Sequence, residues 1–135
     1  MHNNQQQKKC IAIPQILIAY DQMCDYLDDF IHSHQENGIL VEQVRLLRDY
    51  TALLENQDNL FTHLMVRKEY ENSRICLLCQ NTYLVQAVTL AKKITESSDD
   101  FDEKIFQTLE VAFWDTDHII NAIGQYLGNN WGAEG

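Results

Sequence analysis

The stretch IFQTLEVAFWDTDHIINAI, residues 105–123, repeats apolar or small side chains at alternating intervals of four and three positions. The members of this series are Ile105, Leu109, Ala112, Thr116, Ile119 and Ile123. Side chains at this spacing share one face of an α-helix, and a sustained average of 3.5 residues is typical of helices that pack at shallow angles. The stretch therefore predicts an amphipathic helix with one buried side.

Three earlier segments carry the same helical periodicity. We predict helices from Pro14 to Gln35, from Ile39 to about Tyr70 and from Arg74 to Ile94. An unbroken second helix would bury Asp58, so a kink or a break near residues 55–59 is the alternative, with Asp58 as an N-cap. One long helix is preferred because no Gly or Pro interrupts this segment.

Glycine and proline are scarce, and their positions favour helices over strands. The chain has five Gly and one Pro, with neither between Gly38 and Gly124, and it lacks the dipeptides of tight hairpins. Gly38 is expected in the left-handed conformation just past the first helix, and Gly128 is expected to end the last helix. Residues 97–100, Ser-Ser-Asp-Asp, are expected to start that last helix.

Together these segments predict an all-α fold, an antiparallel four-helix bundle, or five helices if the second one is broken. A chain of 135 residues and 15.8 kDa has the size of one domain. We assign residues 11–128 to this domain, residues 1–10 to a disordered N-terminal arm and residues 129–135 to a C-terminal tail.

The charge balance excludes several classes of partner. The formal net charge is −10, from 20 Asp and Glu against 10 Lys and Arg. Nucleic acids and anionic membranes are bound through Lys and Arg, so neither is an expected partner. No apolar run approaches the roughly 20 residues of a membrane span. Four Cys in a chain without a convincing signal peptide are expected to be reduced, which indicates a cytoplasmic protein.

No set of residues predicts a metal, a cofactor or a catalytic centre. Cys76-Leu-Leu-Cys79 lacks the second ligand pair of a zinc site, and burial is its simplest explanation. The pairs Asp29/His32 and Asp115/His118 point away from their own apolar stripes. We therefore expect no enzyme. A metal- or thiol-dependent enzyme on a helical bundle is one alternative, and an inhibitor that mimics nucleic acid is another.

The remaining features are candidate surfaces for another protein. On the last helix a second stripe lies opposite the core stripe, and on the first helix one face is acidic. The stripe contains Val111, Trp114 and His118, and the acidic face contains Asp21, Asp25, Asp28 and Asp29. Exposed Trp is enriched at binding hot spots, and an acidic face steers basic partners. We predict a noncatalytic protein of the adaptor, secretion-chaperone, immunity-protein or inhibitor type.

The second segment carries more apolar side chains than one buried stripe requires. Leu46, Leu53, Leu60 and Leu64 extend its apolar arc, as if the helix faced two neighbours. This excess predicts a homodimer or a contact with a partner helix.

Overall fold

The structure is a computed structural model that describes the backbone of residues 19–134 and the side chains of residues 19–129. Four helices and no strand occur in this range. Helix α1 covers residues 19–33, α2 covers Gly38–Val66, α3 covers Tyr70–Ser97 and α4 covers Lys104–Glu134. The predicted start at Pro14 and the predicted arm at residues 1–10 lie outside the described residues.

Short links force neighbouring helices to run antiparallel. Helix α3 packs against both α2 and α4. Helix α1 is joined to α2 by an ion pair in which Arg48 Nε lies 3.1 Å from Asp28 Oδ1. At the other side, the rings of Tyr26 and Phe30 pack edge-on against Phe101, which precedes α4. The predicted four-helix bundle is thereby confirmed.

Each helix contributes one buried stripe at the spacing that the sequence predicts. The buried members are Tyr20, Met23, Leu27 and Phe30 of α1; Leu40, Val44, Leu47, Thr51, Leu54, Asp58 and Phe61 of α2; Ser73, Leu77, Gln80, Leu84, Ala87, Ala91 and Ile94 of α3; and Ile105, Leu109, Ala112, Thr116, Ile120 and Ile123 of α4. On α4 the buried residue is Ile120 rather than the expected Ile119, because a helix of 3.6 residues per turn drifts from a strict 3.5-residue stripe.

The second segment is one uninterrupted helix, as preferred, and the break near residues 55–59 does not occur. The side chain of Asn37 caps its start, accepting a hydrogen bond from the backbone N–H of Leu40 at 3.3 Å. Asp58 is not an N-cap. It is buried in the middle of α2, where its carboxylate accepts a hydrogen bond from Gln80 of α3.

Both glycine expectations are wrong. Gly38 is the first residue of α2, and Gly128 lies inside α4, which continues to Glu134. No glycine of the described range has a positive φ, the conformation that allows glycine to end a helix. Residues 129–134 therefore continue α4. Glycine destabilises a helix without by itself stopping it.

The ends of α3 and α4 are also shifted from their expected positions. Helix α3 begins at Tyr70, ahead of the expected start at Arg74, after a link in which Lys68 takes a left-handed φ of 60°. It continues through Ser97, so residues 97–100 do not start the last helix. Helix α4 begins instead at Lys104, whose backbone N–H donates to Asp102 Oδ1 at 3.0 Å.

Candidate functional site

The stripe Val111, Trp114 and His118 lies on the outer surface of α4. All three side chains are exposed, Val111 to 59% and Trp114 to 62%. The Trp114 ring contacts Phe113 edge-on, with ring centroids 5.1 Å apart. Because Phe113 packs against the core, this contact supports one side of the indole and leaves most of the ring in solvent. The side chain of Trp131, which could have covered the stripe, lies outside the described residues.

The acidic face of α1 is exposed along its described length. Asp21, Asp25, Asp28 and Asp29 all face solvent. Of these, Asp28 points towards α2 and accepts hydrogen bonds from Arg48 at 3.1 and 3.4 Å. The other three carboxylates follow the outer surface of the helix. The structure does not merge this face with the Trp114 stripe into one cleft; the two lie on separate helices of the bundle.

Charge divides the bundle into two unlike halves. Residues 38–97, which contain α2 and α3, carry seven Asp or Glu and seven Lys or Arg. Residues 19–37 and 98–134, which contain α1 and α4, carry thirteen Asp or Glu and a single Lys, Lys104. The α1–α4 half therefore holds the negative charge of the described chain, whereas the α2–α3 half is neutral.

A buried polar group lies between α1, α2 and α3, and of its members only Gln80 was not expected from the sequence. Gln80 Nε2 donates to Asp58 Oδ1 at 2.6 Å, and both side chains are buried together with Tyr20. Among the described residues, Tyr20 Oη, Asp58 Oδ2 and Gln80 Oε1 have no hydrogen-bond partner. Burial raises the pKa of Asp58 from 3.8 to about 6, and burial also raises the pKa of Tyr20.

The signal for this group was present in the sequence but is ambiguous. Gln80 follows Leu77 by three positions and precedes Leu84 by four, so it belongs to the buried stripe of α3. A Gln at such a position is more often expected on the surface. Only the approach of Asp58 from α2 provides the hydrogen bond that permits its burial.

The two cysteines of the Cys76-Leu-Leu-Cys79 segment have different environments. Cys76 is buried, with its Sγ 3.3 Å from Gln57 Oε1, whereas Cys79 is exposed, contrary to the expectation of burial. Burial raises the pKa of the Cys76 thiol to about 11. Thiol chemistry requires a pKa shift in the opposite direction, because the thiolate is the reactive form.

The histidines occupy separate places in the fold. His32 and His118 are exposed, and the described side chains form no group of three or more His, Cys, Asp or Glu that could hold a metal ion. His34 ends the buried stripe of α1 and stacks on Phe30 with ring centroids 3.9 Å apart. Its Nδ1 lies 2.9 Å from the carbonyl oxygen of Phe30, and this hydrogen bond raises its pKa. Such a contact is typical of a histidine at a helix C-terminus, where the last backbone carbonyls have no intrahelical partner.

No helix in the described part of the chain is both long and apolar enough to span a membrane. Comparison with protein-family models, with curated proteins and with solved structures finds no match to this chain.

Proposed function

We propose that this chain is a noncatalytic binding protein whose α1–α4 half docks onto another protein with a basic surface. The contact residues are Val111, Trp114 and His118 on α4, with the acidic residues of α1 as a second contact. By analogy of size and charge, we propose that it acts as small adaptors, secretion chaperones, immunity proteins or inhibitors do.

The observation that carries the proposal is the exposure of Trp114 to 62% on the side of α4 away from the core. A Trp ring left in water forgoes a large amount of hydrophobic burial, and a partner that covers it recovers this free energy. Support by Phe113 limits the conformational entropy that the ring would lose on binding.

Charge determines which partner fits. Thirteen acids and one Lys in the α1–α4 half produce a negative field that attracts a basic surface and accelerates its approach. We also propose a cytoplasmic location, because the described cysteines Cys24, Cys76 and Cys79 are free thiols.

We further propose that the chain forms a homodimer, because α2 carries more apolar side chains than its one buried stripe requires.

The test compares the Trp114→Ala and Ile39→Ala variants with the unmodified chain, each immobilised and exposed to the same cell extract. Ile39 is a matched control because it is an exposed apolar side chain, 77% accessible, at the start of α2. Proteins retained by the unmodified chain and by Ile39→Ala are then purified, and their dissociation constants are measured against all three forms.

We expect Trp114→Ala to weaken binding by about 2 kcal/mol or more, which is roughly thirtyfold, with unchanged helicity. Rising salt should slow association, because the acidic face acts at long range. Equal binding by Trp114→Ala and the unmodified chain would overturn the proposal. A cooperative loss of helicity in Trp114→Ala would show that the ring belongs to the core.

A further inference from the structure

Both helices of the neutral half present apolar side chains to solvent. On α2 these residues recur at every seventh position, and on α3 they follow intervals of three and seven. They are Leu46, Leu53 and Leu60 of α2, and Ile75, Leu78 and Val85 of α3, each between 39% and 57% exposed. Solvent-facing stripes of single helices are normally polar, so two apolar stripes on adjacent helices indicate a covered surface.

The α3 stripe is also free of charge over its whole length. From Ile75 to Ala91, seventeen consecutive residues contain no Asp, Glu, Lys or Arg. At the charged fraction of 22% for the whole chain, about four would be expected in such a stretch. The exposed positions between the apolar residues carry Cys79, Thr82 and Gln86, which are small or uncharged.

A shallow groove joins the two stripes. It is lined by Leu46 and Tyr50 of α2 and by Val85, Gln86, Thr89 and Leu90 of α3, with Lys93 at its edge. The Tyr50 hydroxyl donates to Gln86 Oε1 across the groove. This bond ties α2 to α3, so the exposed residues belong to one surface, which we call the α2–α3 face.

The distribution of charge indicates which molecule covers the α2–α3 face. Two copies of this chain each carry a net charge of −10, and approach through the α1–α4 halves would bring thirteen acids towards thirteen acids. The α2–α3 half has equal numbers of acids and bases, and the α3 part of its face is uncharged. A second copy can therefore meet the α2–α3 face without electrostatic repulsion. A strongly basic partner would gain less there than at the α1–α4 half, because the acids of the α2–α3 half are balanced by an equal number of bases.

We infer that two copies of this chain pair through their α2–α3 faces, in a two-fold arrangement that leaves both α1–α4 halves open. This inference rests on the proposed self-association and specifies its surface. The seventeen uncharged residues span about 24 Å at 1.5 Å per residue. Two helices, each about 10 Å wide, then present roughly 500 Å² per copy, or about 1,000 Å² in total. That total is at the small end of specific interfaces, so the dimer is reversible and concentration-dependent.

The experiment measures molar mass by sedimentation equilibrium over a concentration series, for the full chain and for matched variants. Val85→Lys and Leu53→Lys place a charge on the α2–α3 face of both copies. Val66→Lys is the control, since Val66 is 76% exposed at the end of α2 and is not part of the face. Trp114→Ala tests the α4 surface in the same assay, and circular dichroism verifies that every variant folds.

We expect a dimer for the unmodified chain, for Val66→Lys and for Trp114→Ala, and at least a tenfold rise in the dimer dissociation constant for both variants of the face. A monomer at every concentration of the unmodified chain would overturn the proposed self-association itself. A dimer that persists in Val85→Lys and Leu53→Lys, or that Trp114→Ala alone dissociates, would overturn the α2–α3 face while leaving self-association intact.

Thiol labelling gives a second readout that requires no substitution. Cys79 is exposed on the α2–α3 face, whereas Cys24 and Cys76 are buried. The rate at which a maleimide labels Cys79, identified by peptide mass analysis, should fall as protein concentration rises into the dimeric range. The same dependence should be lost in Val85→Lys. A labelling rate for Cys79 that is independent of concentration in a chain shown to dimerise would contradict the inference.

Discussion

The interior of the bundle is built in two different ways. Near the α1–α2 and α3–α4 links, Tyr26, Phe30 and Phe101 form an aromatic end, with ring centroids of Phe30 and Phe101 5.3 Å apart at 80°. Its polar group is satisfied, because the Tyr26 hydroxyl accepts a hydrogen bond from the backbone N–H of Asp102 at 2.8 Å. Farther along, Tyr20, Asp58 and Gln80 form a polar layer in which three buried oxygens have no partner among the described residues.

Burial of side chains at the aromatic end stabilises the fold, whereas burial of the polar layer is only tolerated. Aromatic packing adds free energy through area and edge-to-face contact, and no ionisable carboxylate is buried with it. In the polar layer, burial removes the Asp58 carboxylate from water, and a single hydrogen bond from Gln80 offsets only part of this desolvation cost. Stability should therefore depend strongly on side-chain volume at the aromatic end and on pH at the polar layer.

The largest effect is expected from Phe30→Ala at the aromatic end. Phe30 is buried, contacts Phe101 edge-on and stacks on His34. Its removal leaves a cavity that neighbouring helices cannot close fully, so the free energy of unfolding should fall by about 3–5 kcal/mol. Urea denaturation followed by circular dichroism measures this. A loss below about 1 kcal/mol would mean that the aromatic end is not the stabilising one.

The second prediction concerns the pH dependence that Asp58 imposes. Its pKa is 3.8 in the ordinary state and about 6 when buried, so between these values the folded chain holds a proton that the unfolded chain has lost. Stability therefore decreases as pH rises through this window and stays at its lower level above pH 6. Below this pH window Asp58 is protonated in both the folded and the unfolded chain, so the free-energy cost of burying its charge is absent.

The Asp58→Asn variant isolates this contribution, since the other titrating groups are common to both chains. The free energy of unfolding of the unmodified chain minus that of Asp58→Asn should fall by about 2 kcal/mol between pH 4 and pH 7. Urea denaturation at a series of pH values provides the measurement. A difference that is constant across this range would show that Asp58 ionises as freely in the fold as in solution.

The smallest effect is expected from Ser73→Ala, which removes a buried polar group outside the polar layer. The Ser73 hydroxyl donates to the carbonyl oxygen of Glu69 at 2.7 Å, but the backbone N–H of Ser73 already bonds that oxygen at 2.8 Å. No group is left unsatisfied, so a change of about 1 kcal/mol or less is expected. A loss as large as that of Phe30→Ala would contradict the distinction between locally satisfied and unsatisfied polar groups.

Much of the architecture was predictable from spacing alone. The core positions of Tyr20, Leu27, Leu47 and Leu109 follow from intervals of three and four residues, and the structure confirms them. The helix ends were less predictable, because Gly128 can continue a helix as well as end it. End residues are decided by local hydrogen bonds, such as that from the Lys104 N–H to Asp102, and composition does not reveal which candidate cap forms.

The candidate surfaces were likewise predictable from the sequence only in part. The exposure of Trp114 follows from its position on the helix opposite the core stripe, and it needs no knowledge of the other helices. On α3, the polar residues Thr82, Gln86 and Thr89 are exposed as their polarity indicates. The exposure of Ile75, Leu78 and Val85 beside them was not foreseen, because apolar residues cover more than half of the circumference of this helix. Contacts of Cys76 with Gln57, and of Gln80 with Asp58, orient that helix.

By itself, the sequence determined that the chain forms amphipathic helices, which face of α1, α2 and α4 is buried and how much negative charge the molecule carries. These properties depend on residues close together along the chain, where helical geometry converts spacing into direction. Only the tertiary structure decided that Gln80 accompanies the buried Asp58 and that the neutral helices adjoin each other. Those outcomes depend on hydrogen bonds and packing between residues far apart in sequence, and local periodicity contains no information about which distant partners will meet.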